Sequence, residues 1–344
     1  MLILAHEVQV TSVSGERRSL QILVGDATDT RSGSVDMLAI SCFPDSYVPT
    51  PRTLVASLAL RGIDVEDVAR DKARDWRQGW QTWISQPLGA GVSVGRLACF
   101  EHGLRRDAAS VVGNLFRAIS EFALEERTGD IGILRLPLLS TGDQGADKSQ
   151  MLEALLRQAY THLRGALPVR TVQLVIHDRD PDLHRLLVEA GLGLELVRSE
   201  WAKIRLSEEP QYDYFVSYRR ADAPYVDQLL DALRSRQSSV RIFRDTDSLR
   251  QGFHWKPELV AGVYNSRRAV CVISDAYPDS VECVDEFHAA LCCARHREGF
   301  LRPLLRLSER AVESLPASFR RVNMIDARSP PRTMEQILTA VLAP

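Results

Sequence analysis

The sequence predicts a protein of two α/β domains, each built on a largely parallel sheet. Its 344 residues exceed the roughly 250 to 300 that one hydrophobic core usually organises. Short apolar or β-branched runs alternate with longer amphipathic runs along the whole chain, which is typical of α/β folds. One polar segment, which contains Pro210, interrupts this alternation. We therefore expect a first domain over residues 1–197, a linker over 198–211 and a second domain over 212–344.

The elements follow from apolar periodicity. In the first half it predicts strands at 20–24, 37–40, 131–139 and 171–176, and helices at 108–125, 149–163 and 183–190. In the second half it predicts strands at 214–217, 240–243 and 269–273, each followed by a helix-like segment. Trp76, Trp80 and Trp83 recur at helical spacing, which predicts a helical stripe in the core or at an interface.

Charge and hydropathy argue against several classes of function. There are 43 basic and 45 acidic residues and a formal net charge of -2, so a nucleic-acid partner held by phosphate contacts is not expected. No apolar run reaches the roughly 18 to 20 residues that span a bilayer, so no membrane insertion is expected. The N-terminus has no basic region of the kind that begins a signal peptide. The sequence therefore predicts a cytoplasmic location.

The six cysteines do not indicate a metal site. None forms a CxxC pair, and no His-rich segment accompanies them. Several lie inside apolar runs, as reduced thiols of a hydrophobic core do. We expect core thiols and no bound metal.

Polar and aromatic side chains follow three predicted strands of the second half. They are Ser217, Arg219 and Arg220 after the first strand, Phe243, Asp245 and Trp255 around the second, and Ser280, Cys283 and Glu286 after the third. The carboxyl ends of parallel strands form one edge of the sheet, which is where such folds bind ligands. Arginine guanidinium groups at that edge suit phosphate or carboxylate groups. The convergence therefore predicts a nucleotide pocket.

These residues resemble the motifs of the Toll/interleukin-1 receptor (TIR) family in order and spacing. The segment 213–220 is similar to the family's first motif, and the segment 301–305 with Leu315 and Pro316 is similar to its late strand and turn. The remaining similar positions are Phe243, Asp245, Gly252 and Trp255 in the second motif and Ser280, Cys283 and Glu286 in the third. Many bacterial and plant members have a tryptophan where this chain has Glu282.

The resemblance implies a flavodoxin-like parallel-sheet domain and, as in the enzymatic members, cleavage of the nicotinamide–ribose bond of NAD+. NAD+ is then the substrate, and no cofactor is implied. The nicotinamide ring is cationic in NAD+ and leaves as a neutral molecule, so positive charge builds up on the ribose in an oxocarbenium-like transition state. A carboxylate stabilises that charge. Glu286 is the expected catalytic residue; the other eight strand-end residues are expected to bind the nucleotide. ADP-ribose, a cyclic isomer and a conjugate all remain open as products.

Each of these residues also has a purely structural interpretation. Glu286 is typical of a helix start, where the helix dipole favours it. Cys283 is typical of core packing, since no histidine partner is evident for nucleophilic use. The alternative function is a non-enzymatic adaptor that acts by TIR–TIR contacts, and an adaptor needs no carboxylate at position 286.

One loop in the first half is typical of phosphate binding. Ser140, Thr141, Gly142 and Gly145 lie between a predicted strand and a predicted helix, where backbone N–H groups can cradle an anion. The stretch resembles the diphosphate loop of macro domains, and Asp26 lies in a segment that resembles their adenine-contacting element. The resemblance implies an α/β/α macro-like fold in which these five residues bind a nucleotide.

The first half departs from the macro family at three places. Residues 41–43 replace an Asn pair, residues 45–51 replace a Gly-rich loop, and Gln144 replaces an aromatic residue. An ADP-ribosyl hydrolase is therefore not expected. A degenerate module is expected instead, one that binds ADP-ribose or a cyclic derivative or only mediates contacts.

Together the two resemblances indicate an NAD-consuming TIR enzyme with a macro-like sensor. This pairing is similar to bacterial antiphage defence proteins, including those of the Thoeris type, and it implies an unidentified trigger protein. The pocket of such TIR domains is completed by a loop from a neighbouring copy. We therefore expect a homo-oligomer formed through TIR contacts.

Overall fold

The computed structural model describes the chain except for residues 32, 52, 90–91, 105–106, 126–129, 208, 245–256, 314, 329–331 and 344, and for the side chains of 309 and 310. The chain divides into two compact units, Met1–Trp201 and Ala202–Pro344. Both units are α/β, as the sequence predicts. None of the helices in the described part of the chain is long and apolar enough to cross a membrane.

The first unit is built on an eight-stranded mixed sheet in the order β1-β2-β8-β7-β3-β6-β5-β4. Its strands are β1 (Ile3–Thr11), β2 (Arg17–Val24), β3 (Val35–Cys42), β4 (Lys72–Trp76), β5 (Thr82–Ser85), β6 (Val94–Glu101), β7 (Ile131–Pro137) and β8 (Val169–Ile176). The five central strands, β2, β8, β7, β3 and β6, are mutually parallel. At the edges, β1 pairs antiparallel with β2, β5 with β6, and β4 with β5. Central parallel strands are apolar along their whole length because both faces of the sheet are covered.

Helices pack on this sheet and follow its strands. They are α1 (Leu54–Ala59), α2 (Val65–Arg70), α3 (Arg77–Trp80), α4 (Ala108–Glu125), α5 (Lys148–Arg164) and α6 (Leu183–Ala202). The side chain of Asp147 caps α5 by accepting a hydrogen bond from the amide of Gln150. The loop that contains Ser140 thus lies between the carboxyl end of β7 and the amino end of α5.

Two sequence-based expectations for this unit need correction. Helix α6 does not stop at residue 190 but continues to Ala202, so the expected linker begins as helix. Leu194, Val197 and Trp201 continue its buried face at helical spacing, past two glycines that weaken the pattern. The three tryptophans do not form a helical stripe: Trp76 ends β4, Trp80 lies in α3, and Trp83 is buried in β5.

The second unit is built on a five-stranded parallel sheet in the order β10-β9-β11-β12-β13. Its strands are β9 (Tyr212–Tyr218), β10 (Ile242–Arg244), β11 (Ser266–Ile273), β12 (Leu301–Leu305) and β13 (Ile325–Asp326). Its helices are α7 (Ala223–Arg236), α8 (Pro257–Tyr264), α9 (Val281–Ala294), α10 (Glu309–Val312), α11 (Ala317–Arg320) and α12 (Met334–Leu342). Counted within the unit the order is 2-1-3-4-5, which is the flavodoxin-like order.

Strand alternation decides which residues face which helices. Tyr214 and Val216 of β9 and Val270 of β11 pack with α7 and α12 on one face of the sheet. Phe215 and Ser217 therefore point to the opposite face, where α8 and α9 lie. This alternation places Ser217 beneath α9.

Candidate functional site

Ser217 lies next to the topological switch point of the second sheet. β9 pairs with β10 on one side and β11 on the other, and the order of the strands reverses there. Ligands of open α/β sheets bind at the carboxyl ends of strands at such a point. Ser217 is the second-to-last residue of β9 and pairs in register with Cys271 of β11. Ser217 therefore lies at the edge of the sheet where this class of fold binds ligands.

Three buried side chains meet at this position. Ser217 donates a hydrogen bond to the carboxylate of Glu286 on α9, and its Oγ lies 2.6 Å from the hydroxyl of Tyr277. Glu286 is 7% exposed, Ser217 is 1% exposed and Tyr277 is fully buried. A buried carboxylate needs hydrogen-bond donors, because burial otherwise disfavours its charged form.

The S-x-x-C-x-x-E motif sets the position of Glu286 through helix geometry. Ser280 is the N-cap of α9, and its hydroxyl accepts from the amide of Cys283 at 3.4 Å. Residues three apart lie on one face of a helix, so Cys283 and Glu286 follow the cap toward the sheet. The ring of Phe287 stacks on Phe319 of α11 at 3.7 Å between centroids. The cap and this stack fix the rotation of α9.

Two thiols line the same cluster. Burial raises the pKa of Cys283 to about 12, and the charge of Glu286 adds to the shift, while Arg219 opposes it. Burial also raises the pKa of the Cys271 thiol well above its usual range. Both thiols are therefore protonated at neutral pH and do not serve as nucleophiles. All six cysteines are free and buried, as the sequence predicts.

The other predicted residues of this unit fall into three groups. Arg219 and Arg220 are exposed just after β9, at the same edge of the sheet. The ring of Phe243 stacks on that of Phe215 at 5.7 Å, and a Cβ at Gly262 would lie 2.7 Å from it. Its contact with a nucleotide stays a prediction. Asp245, Gly252 and Trp255 lie outside the described residues.

Two residues of this edge were missed by the sequence reasoning. Tyr277 is the third residue after Ser274. The only indication in the sequence is the residue type, since a buried tyrosine hydroxyl usually has a hydrogen-bond partner. Arg244, at the end of β10, donates to the hydroxyl of Tyr218 and forms an ion pair of 2.8 Å with Asp227. These contacts depend on pairs of strands and helices that are far apart in sequence.

In the first unit, Asp26 is already engaged by neighbouring groups. One carboxylate oxygen accepts from the amide and the hydroxyl of Thr28 at 2.8 and 2.7 Å, and the other pairs with Arg61 at 2.8 Å. The carboxylate is about one-third exposed. Its contact with an adenine stays a prediction.

The loop from Ser140 to Gly145 is held by its own side chains. The hydroxyl of Ser140 lies 2.5 Å from Nε2 of His102, and Thr141 donates to the carbonyl of Leu138 at 2.8 Å. Ser140 and Gly145 both have positive φ, at 60° and 67°. Gly142 has no positive φ, and a Cβ there would meet nothing within 4 Å. Both hydroxyls are thus engaged by protein groups outside the loop.

Gln144 ties this loop to two neighbouring strands. Its amide donates to the carbonyl of Cys42 at 2.8 Å, and to that of His102 at 3.0 Å. Glu101, which precedes His102, is buried and accepts from Nε1 of Trp83 at 2.5 Å and from the hydroxyl of Tyr47. The carboxyl ends of β3, β6 and β7 therefore share a buried polar cluster. In the described part of the chain no three His, Cys, Asp or Glu residues are grouped as metal ligands.

Comparison with known proteins identifies the second unit. Residues 215–338 match the family model of the TIR domain. The C-terminal unit is a TIR domain. The match includes Ser217, Tyr277 and Glu286, so the buried cluster described above lies within the TIR domain.

Two curated plant proteins are similar to part of this chain. The disease resistance proteins RPV1 and RUN1 of Vitis rotundifolia are 40% and 37% identical over 86 and 89 residues. These stretches cover 24% and 25% of this chain. The chain spans about 6% of the length of either relative.

Solved structures similar to the chain include macrodomains and TIR-containing receptors. The Oceanobacillus iheyensis macrodomain with ADP is 11% identical, with a TM-score of 0.40, and the match covers 58% of this chain and 98% of that one. A TIR-STING receptor from C. gigas in complex with 2',3'-cGAMP is 22% identical, with a TM-score of 0.32, and the match covers 41% and 43% of the two chains.

Proposed function

We propose that the TIR domain cleaves the nicotinamide–ribose bond of NAD+, with Glu286 as the catalytic carboxylate. The observation that carries the proposal is the position of Glu286: it is buried at the carboxyl edge of the sheet, beside the switch point, and hydrogen-bonded to Ser217. A flavodoxin-like sheet offers its ligand site at that edge.

The chemistry needs only one carboxylate. Nicotinamide is already cationic in NAD+, so its departure needs no general acid, and the developing charge lies on the ribose. A carboxylate fixed in a low-dielectric setting stabilises that charge more strongly than one in water. The exposed Arg219 and Arg220 would contact the diphosphate of NAD+ from the same edge.

The second candidate function is a TIR adaptor without enzymatic activity. One observation favours it: Glu286 and Ser217 also join α9 to β9, and a buried hydrogen bond can serve packing alone. The two functions differ in what happens to NAD+. An adaptor associates through its TIR surface and leaves NAD+ intact.

The first unit would act as the regulatory module. A diphosphate at its loop would be met by backbone N–H groups near Gly142, because the hydroxyls of Ser140 and Thr141 and the N–H of Gly145 are engaged within the protein. ADP-ribose or a cyclic derivative fits such a site. Homo-oligomerisation through TIR contacts, an unidentified trigger protein and a cytoplasmic role in antiphage defence or NAD-based signalling complete the proposal.

Mass analysis of the reaction tests the proposed function. Concentrated, purified full chain is incubated with NAD+, and the products are separated by mass. Release of nicotinamide together with ADP-ribose, a cyclic isomer or a conjugate is expected. Intact NAD+ in a sample that has assembled through its TIR domains would favour the adaptor.

A further inference from the structure

Ser217 is shared between two partners, and elementary chemistry fixes the direction of both hydrogen bonds. Its hydroxyl has one hydrogen, and an ionised carboxylate can only accept, so Ser217 donates to Glu286. Burial, with added contributions from Cys271, Cys283 and Glu286, raises the pKa of Tyr277 well above its ordinary value. The phenol is therefore protonated and donates to Ser217 Oγ, 2.6 Å away.

We propose that Tyr277 is a positioning residue for Glu286 and that it acts through Ser217. The donor chain runs from Tyr277 to Ser217 to Glu286, and it orients one oxygen of the carboxylate. Successive donors polarise one another, which strengthens the last bond of the chain. This inference rests on the proposed function, because it assigns the residue that prepares the proposed catalytic carboxylate.

The fold holds Tyr277 in place from both sides. Its amide donates to the carbonyl of Ser274 at 3.0 Å, and its carbonyl accepts from the amide of Ser280 at 3.1 Å. Its ring meets that of Phe319 edge to face at 6.1 Å. Because Ser280 caps α9, the loop that fixes Tyr277 also fixes the start of the helix that carries Glu286.

The other titratable groups near these three side chains do not replace Tyr277 as the donor to Ser217. Cys271 on β11 faces Ser217 and Tyr277, and Cys283 on α9 faces Glu286. A thiol is a weak donor compared with a phenol. Arg219 acts on the cluster through its charge near Cys283, and it is exposed.

The first test is a double-variant cycle on nicotinamide release by the full chain. Tyr277→Phe keeps the ring and removes only the donor, so we expect kcat to fall about tenfold with KM for NAD+ unchanged. In a Ser217→Ala background the same change should have no further effect, because the relay is already broken. An equal loss in both backgrounds would show that Tyr277 acts by packing and would overturn the proposal.

Tyr225→Phe is the matched control. Tyr225 belongs to the same domain, and within the described residues its buried hydroxyl has no hydrogen-bond partner. Removal of that hydroxyl should leave kcat unchanged. A tenfold loss in Tyr225→Phe would show that the assay responds to any buried tyrosine hydroxyl, and would overturn the assignment to Tyr277.

The second test does not depend on activity. The side-chain carboxyl of Glu286 is followed by carbon-13 NMR during a pH titration of the full chain, with Glu286→Gln to assign the signal. Without Tyr277 as its donor, Ser217 should stabilise the charged carboxylate less, so the titration midpoint should move to higher pH in Tyr277→Phe but not in Tyr225→Phe. An unmoved midpoint overturns the positioning role. A moved midpoint in a protein that releases no nicotinamide keeps the positioning role and rejects the proposed function.

Discussion

The hydroxyl of Ser217 donates a hydrogen bond to the carboxylate of Glu286, 69 residues later in the chain. Ser217 is the second-to-last residue of a central strand and Glu286 lies in the second turn of α9, so this bond joins sheet and helix at the switch point. Both side chains are buried, and a hydrogen bond to a buried carboxylate is stronger than the same bond in water. The geometry therefore ties the orientation of Glu286 to the sheet rather than to its own helix alone.

Removal of the Ser217 hydroxyl should lower the rate of the proposed reaction more than it lowers the stability of the fold. We expect Ser217→Ala to lower the rate of nicotinamide release about tenfold, because the buried carboxylate loses a hydrogen bond that orients it. Ser266→Ala is the matched control, since Ser266 is also buried and donates to a carbonyl, that of Gly262. Similar rate losses in both variants, with similar losses of melting temperature, would argue for a general packing effect.

Gly142→Leu should block the first unit's loop without unfolding it. The position is open to a side chain and has no positive φ, unlike Gly145. We expect a melting temperature within about 2 °C of the unmodified protein, loss of ADP-ribose binding by calorimetry, and altered NAD+ turnover. Gly79→Leu, also in open space in the same unit, is the control. Unchanged binding and turnover in Gly142→Leu would remove the loop from the proposed regulatory site.

The buried Glu101 should be important for the stability of the first unit. Glu101→Ala leaves Nε1 of Trp83 and the hydroxyl of Tyr47 without their acceptor. We expect the free energy of unfolding to fall by about 3 kcal/mol, since each unsatisfied buried donor costs roughly 1 to 3 kcal/mol. Tyr47→Phe removes one donor and keeps the acceptor, so it should cost about 1 kcal/mol. Denaturant unfolding measures both, and a larger loss in Tyr47→Phe would contradict the assignment.

The thiol of Cys283 should be unreactive in the folded protein. Burial and the nearby Glu286 raise its pKa to about 12, so at pH 8 almost no thiolate is present. The unfolded thiol loses its proton near pH 8.5, so the second unit should lose stability as the pH rises above about 9. Alkylation at pH 8 followed by peptide mass analysis checks the first statement. Labelling of Cys283 as fast in the native protein as in denaturant would contradict it.

The sequence predicted the site's strand-end residues because each follows a short, strongly apolar strand. Ser217 follows the run 214–216, and the cap-and-helix spacing of Ser280, Cys283 and Glu286 is local. Such patterns depend on neighbours within a few residues. These residues could therefore be chosen as site candidates from the sequence, without the tertiary structure.

Residues that depend on long-range packing could not be predicted. Tyr277 reaches Ser217 only because β9 and β11 are adjacent, 60 residues apart in the chain. The packing of Phe243 on Phe215 and beside Gly262 likewise depends on strands and a helix that are distant in the sequence. Helix α6 was predicted too short because Gly191 and Gly193 interrupt its apolar pattern, whereas burial of Leu194 and Val197 sustains it.

The most direct test compares two glutamates of the same helix. Glu286 is buried beside Ser217, whereas Glu282 is exposed and accepts a hydrogen bond from Ser280 at 3.1 Å. The initial rate of nicotinamide release from NAD+ is measured for Glu286→Gln and Glu282→Gln at matched concentration and assembly state. We expect the first variant to be at least about 100-fold slower than the unmodified protein and the second to stay within about twofold of it. Equal rates in the two variants would contradict the assignment of Glu286 as the catalytic carboxylate.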